Sequence, residues 1–216
     1  MLQITSLQSD HPDYPKTAIQ YWDNSALPTI SAIGNPKLLQ QQPTLAIFCS
    51  VKCPGDLILQ TYDLAKNLRD TKISTISGFH SPMEKECLML LLRGTQPIVH
   101  CPARSLDNMR LPKEHKTAIQ RDRLLMLSPF HSNQSRMTAM LAQKRNHFVA
   151  ALADAVFIAY ASSDSKTEDL AKQVIAWKKP LLTFTSNENQ NLINLGAKTI
   201  ETFLNNNFGF KALPVK

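Results

Sequence analysis

Lys144-Arg145-Asn146-His147-Phe148-Val149-Ala150-Ala151-Leu152-Ala153-Asp154-Ala155-Val156-Phe157-Ile158-Ala159 joins a cationic, hydrogen-bonding tetrad to an apolar helical run and then to a short buried strand. A helix running straight into an apolar strand is the local signature of a sheet covered by helices. The same stretch fixes positive charge on a rigid element. Guanidinium and ammonium groups bind phosphate, and an Asn amide beside them both donates and accepts hydrogen bonds.

Working outward, residues from Thr44 onward alternate short apolar runs with longer amphipathic ones. Strands are predicted over 45–48, 73–76, 98–100, 124–127, 155–159 and 181–184, and helices over 56–69, 82–92, 113–122, 135–153 and 167–178. Leu57, Leu64, Ala65 and Leu68 share one face of the first helix, whereas Gln60, Lys66, Asn67 and Arg69 suit solvent. Ser81-Pro82-Met83-Glu84 supplies an N-cap, a first-turn proline and an acidic residue, and Arg93-Gly94 ends that helix. The pattern predicts an α/β fold: a doubly wound, mainly parallel sheet with helices on both faces. Pro12, Pro15, Pro28, Pro36 and Pro43 interrupt residues 1–43, so this part is expected to be an arm, with at most short helices, packing on a core domain of residues 44–216.

Lys and Arg number 24 against 17 Asp and Glu, a formal charge of +7, which favours polyanions and makes nucleic acid the first partner to consider. No apolar run reaches the roughly 18 residues of a membrane span. Met1-Leu2-Gln3-Ile4-Thr5-Ser6 has neither a charged leader nor an apolar h-region, so a cytoplasmic protein without membrane association is expected. Reduced thiols are expected for Cys49, Cys53, Cys87 and Cys101, with Cys87 in the core. Cys49, Cys53, His80, His100 and Cys101 fall at or just past strand ends that converge, but no pair has ligand-motif spacing and no metal is assigned.

In a doubly wound sheet the ligand crevice lies beyond the strand C-termini, where helix N-termini present N–H groups to anions. Cys49-Ser50-Val51-Lys52-Cys53-Pro54-Gly55, Ser77-Gly78-Phe79-His80-Ser81 and Ala161-Ser162-Ser163-Asp164-Ser165-Lys166-Thr167 all arrive there. Each combines hydroxyls with a glycine or a lysine. GxGxxG after the first strand, GxxxxGKS/T and GxSxG are all missing, which argues against routine NAD binding, Walker-type ATP hydrolysis and an α/β-hydrolase elbow. No cofactor and no catalytic residue is assigned.

Taken in order, these segments resemble the DprA/Smf family of DNA-processing proteins. Tyr14-Pro15 and Ile33-Gly34-Asn35-Pro36-Lys37-Leu38-Leu39 resemble the family's opening, Leu45-Ala46-Ile47-Phe48-Cys49-Ser50-Val51 stands in place of its AIVGSR segment, and Ile76-Ser77-Gly78-Phe79-His80-Ser81-Pro82-Met83-Glu84 in place of VSGLARGID. Met126-Leu127-Ser128-Pro129-Phe130 is similar to LSEYP, Lys144 through Ala153 to xRNRIIAGLS, Ser162 through Ala171 to SGSLITAxxA, and Asn191-Leu192-Ile193-Asn194-Leu195-Gly196-Ala197 to NxLIxxGA. The resemblance runs from about residue 14 to 200 and also has departures. Cys49-Ser50-Val51 replaces Gly-Ser-Arg, so a phosphate-binding arginine is lost unless Lys52 substitutes. Ala142-Gln143 replaces Phe-Pro, His147 replaces the last arginine, and the chain ends where many members continue into a winged helix, so a divergent core-only relative is expected.

The resemblance implies an extended Rossmann-like fold and a single-stranded DNA-binding protein, not an enzyme, that protects DNA and helps load a RecA-type recombinase during DNA uptake or recombination, as a homodimer. The candidate DNA- and phosphate-binding residues are Ser50, Lys52, Ser77, Gly78, Lys144, Arg145, Asn146, Ser163 and Thr167. The alternative is a Rossmann-like sensor or hydrolase of a nucleotide-derived ligand; such enzymes carry PGGxGTxxE, whereas residues 162–168 here contain Glu168 but no glycine. Runs around 119–127 and 192–210 have enough apolar residues to cover a partner, or to be internal.

Overall fold

The computed structural model describes residues 3–21 and 27–208. The elements that position the site begin with strand β3 (Thr44–Phe48), helix α3 (Gly55–Leu68), β4 (Ser74–Ser77), α4 (Pro82–Leu91), β5 (Ile98–His100), α5 (Lys113–Gln120), β6 (Leu124–Ser128), α6 (Ala139–Leu152), β7 (Ala155–Ile158), α7 (Lys166–Ala176) and β8 (Leu181–Thr183). Before them come β1 (Thr5–Leu7), α1 (Lys16–Ile19), β2 (Ile30–Ile33) and α2 (Leu38–Gln41). After them come a 3-10 turn (Asn187–Asn189), α8 (Gln190–Asn194), β9 (Lys198–Thr199) and α9 (Ile200–Phe208).

The nine strands form one sheet in the order β1-β2-β6-β5-β4-β3-β7-β8-β9. From β6 to β9 all neighbours are parallel. Period-two alternation sends Leu45 and Ile47 of β3 to one face and Ala46 and Phe48 to the other, and the other central strands follow. The first face is closed by α3, α4 and α5, through residues such as Leu57, Leu68, Leu91 and Ile119. The second is closed by α6 and α7, through Phe148, Val149, Leu170 and Val174. The expected doubly wound α/β architecture is therefore present.

The arm differs from expectation. Its β2 extends the sheet antiparallel to β6, with Ala32 opposite Leu127, β1 adds antiparallel to β2, and Tyr14 is buried with its hydroxyl donating to the Pro28 carbonyl at 2.9 Å. Strands of three and four residues among prolines carry too short an alternation to be read. Helix α6 starts at Ala139, not at 135, because Thr138 is its N-cap and accepts from the Leu141 N–H. The apolar residues of the 119–127 run are internal, Ile119 being buried and Leu124 to Leu127 fully buried in β6, while Gln120, Arg121 and Asp122 between them are exposed. The end of the 192–210 run, residues 209 and 210, lies outside the described residues.

Strand order reverses between β3 and β7. The chain winds outward through β4, β5 and β6, then returns through α6 to place β7 beside β3. That reversal opens a crevice past the C-terminal ends of β3 and β7. At the opposite, N-terminal edge of the same two strands, the Asp154 carboxylate accepts from both the Thr44 N–H and hydroxyl at 2.8 Å and pins the start of β3 beside β7.

Candidate nucleic-acid interface

The loops after β3 and β7 are laced together at this crevice. Ser50 N–H donates to the Tyr160 carbonyl at 2.9 Å, and Ser162 N–H to the Ser50 hydroxyl at 3.4 Å. With the loop after β4 and the inner face of α6 they surround a cavity of about 360 Å³. Ser50, Lys52, Arg145, Asn146 and Thr167 all line it, with His80, Ser81, Ser162 and Ser165, and exposed Val51 stands at its rim. Five of the nine candidate residues are thus brought together from three separate parts of the chain.

The other four have different positions. Ser77 and Gly78 are buried beneath the cavity. The Ser77 hydroxyl donates to the Ile47 carbonyl at 2.7 Å and accepts from Phe79 N–H, so it ties β4 to β3. Gly78 is covered by Arg145: an added Cβ would meet the guanidinium Nη1 at 1.4 Å. Lys144 and Ser163 are exposed and are not among the lining residues.

Arg145 is 2% exposed, which a basic tetrad on a helix does not announce. It points inward because its neighbours at helical spacing, Leu141, Phe148 and Val149, face the core. Its Nε donates to Asn146 Oδ1 at 2.7 Å and its Nη1 to the Cys101 carbonyl at 3.0 Å. Burial lowers its pKa, opposed by the attraction of Glu84. An arginine stays charged nonetheless, so a fixed cation faces the cavity.

Two carboxylates complete the site, and their role escapes a reading based on positive charge. Glu84 is buried and accepts from the N–H groups of Cys49 at 3.1 Å, His80 at 2.8 Å and Ser81 at 3.4 Å, while Ser81 caps its backbone in return. Glu168 accepts from Asp164 N–H at 3.0 Å and from the Asn191 amide at 2.7 Å; with the Asn191 bond as the largest cause, its pKa is lowered. Through these bonds Glu84, which lines the cavity, ties the loops after β3 and β4 together, and Glu168 holds the loop after β7. The Ser-x-x-Glu spacing at Ser81 was the available signal for the first.

The thiols and histidines lie outside any ligand set, and among the described residues no three His, Cys, Asp or Glu side chains converge to hold a metal. Cys87 and Cys101 are fully buried, and burial pushes both thiols up to about 12. The free thiols of Cys49 and Cys53 share a hydrogen bond, which raises the Cys49 pKa and lowers that of Cys53. His100 supports the floor by bonding to the Gly78 backbone, and burial beside His115 and Arg145 pushes it down to about 3.

A doubly wound sheet whose switch-point crevice presents hydroxyls, amides and two cations defines a Rossmann-like domain. The chain belongs to the DNA recombination-mediator protein A family, whose sequence profile matches residues 5–206. Its fold is shared with DNA processing protein A from Streptococcus pneumoniae, at 18% identity and a TM-score of 0.77, covering 97% of this chain and 76% of that one. DNA processing protein A from Helicobacter pylori, described for its single-stranded DNA binding mode, is 22% identical with a TM-score of 0.75, covering 95% of both chains. No curated protein matches the sequence. Among the described residues no helix is long and apolar enough to cross a membrane.

Proposed function

We propose that this member of the family binds single-stranded DNA at the strand-end cavity, seating a backbone phosphate against Ser50, Lys52, Arg145, Asn146 and Thr167. The reading extends to DNA protection and delivery to a RecA-type recombinase, by a cytoplasmic homodimer that carries out no reaction of its own. The observation that carries it is the convergence of those five side chains, from the β3 loop, α6 and the start of α7, on one cavity. Phosphate recognition by hydroxyls, an amide and two cations is independent of base identity, so little sequence preference follows.

The nucleotide-hydrolase alternative asks for a free general base. Glu168 is instead engaged by Asn191, Asp164 and Lys172, holding its own loop. A fluorescence-anisotropy titration of single-stranded DNA at low and high salt tests the DNA reading. Binding is expected at low salt and should weaken as salt rises, by about 0.7 in log affinity per log salt for each phosphate contact. Absence of binding at low salt, with strong thermal stabilisation by a nucleotide, would favour the small-ligand alternative.

A further inference from the structure

The cavity holds only part of the positive charge. Its lining cations, Lys52 and Arg145, face the carboxylate of Glu84, while the chain as a whole carries +7. A second groove of about 340 Å³ lies between α4 and α5, and its lining includes Met89, Leu92, Arg93, Lys113, Arg121 and Arg123. Glu114 is the carboxylate among the lining residues, so four cations outnumber it. Arg93, Lys113 and Arg121 are exposed, and none of the four is in an ion pair among the described residues.

The groove is built, not frayed. Arg123 closes the C-terminal end of α4 by donating Nη1 to the Leu92 carbonyl at 3.2 Å and Nη2 to the Leu91 carbonyl at 3.1 Å. Its Nε is buried without a partner. Its pKa is lowered, by burial first and then by repulsion from Arg121, with Asp70 opposing. On α5, Lys113, Thr117 and Arg121 stand at intervals of four residues and so form a stripe. At 1.5 Å per residue the stripe is about 12 Å long, enough for several phosphates at roughly 3.4 Å each in a stacked strand. Exposed Met89 and half-buried Leu92 add an apolar wall, and apolar faces are what the bases of a single strand present.

We propose that the α4–α5 groove is a second single-stranded nucleic-acid site, in which Arg93, Lys113 and Arg121 hold phosphates and Met89 and Leu92 meet base faces. This rests on the DNA-binding reading of the strand-end cavity and extends its footprint. Arg123 precedes β6, whereas the cavity lies past the C-terminal strand ends. The five residues of β6 span about 17 Å, and β6 stands three strands from β3, so a short oligonucleotide fills one site and a long strand engages both.

Anisotropy with oligothymidylates of about six and about thirty nucleotides distinguishes the two sites, using the wild type and an Arg93→Ala/Lys113→Ala/Arg121→Ala variant. Arg123 is left intact because it holds α4. The six-mer is expected to bind both proteins within about twofold; for the thirty-mer the variant should lose about tenfold in affinity and about 2 in log–log salt slope. In the wild type, the thirty-mer and not the six-mer should protect Lys113 from chemical acetylation. An unchanged thirty-mer affinity overturns the groove and leaves the cavity reading standing. An equal loss for both lengths overturns it too, since that is general electrostatics. No binding of either length by the wild type removes the cavity reading and the groove together.

Discussion

The guanidinium of Arg145 lies on the Cα of Gly78, so close that an alanine Cβ there would fall 1.4 Å from Nη1 and 1.8 Å from Cζ. The glycine serves to admit the arginine, and the arginine, held by Asn146 and the Cys101 carbonyl, faces the cavity. Gly78→Ala is therefore expected to displace Arg145, lower stability by about 1–3 kcal/mol, and weaken single-stranded DNA binding. A double-mutant cycle checks this: Arg145→Ala should cost much less DNA affinity in the Gly78→Ala background than alone. Additive losses would mean that the two residues act separately.

Glu84 sets a second expectation, because one carboxylate both fixes two loops and places negative charge in the cavity. In Glu84→Gln one oxygen can still accept, but the amide nitrogen faces a backbone N–H. Loss of about 1–3 kcal/mol in chemical denaturation is expected, together with tighter DNA binding in those molecules that remain folded. Weaker binding at full folding would show that Glu84 acts chiefly by orienting Arg145.

His100 gives the protein an acid-sensitive term. Its folded pKa of about 3 lies below the ordinary 6.5, so between those values the unfolded chain binds a proton that the folded one does not. Stability from this group is thus complete above pH 6.5 and declines as pH falls toward 3, by up to about 1.4 kcal/mol per pH unit. Burial lowers the pKa of His115 as well, which acts in the same direction. Melting temperatures from pH 7 to 4 should fall less steeply for His100→Gln than for the wild type; parallel curves would contradict the assignment.

Much of this was legible in the residues themselves. Strand β7 is apolar throughout, β3 and β6 are apolar but for Thr44 and Ser128 at one end, and the Ser81-x-x-Glu84 pattern marked the start of α4 at Pro82. The arm strands β1 and β2 were hidden, since strands of three and four residues carry little alternation of their own and join the sheet only by tertiary pairing, β2 on β6 and β1 on β2. At the site, residue type indicated polarity but not direction. Lys144 and Arg145 are neighbours in the chain, yet helical geometry turns the first to solvent and buries the second. Nor does sequence reveal that Lys179 donates to the carbonyls of Ala150, Ala151 and Ala153, tying down the end of the helix that carries Arg145.

The most direct test of the cavity as a phosphate seat uses two side chains that line it, Lys52, which is exposed, and Asn146, which also accepts from Arg145 Nε. Affinity for a short single strand should be measured for Lys52→Ala and Asn146→Ala, with melting temperature as a control. A loss worth about 1–3 kcal/mol of binding in each is the result expected, with a smaller salt slope and unchanged melting for Lys52→Ala and a lower melting temperature for Asn146→Ala, which leaves Arg145 Nε unpaired. Wild-type affinity in both variants would contradict the placement of the DNA.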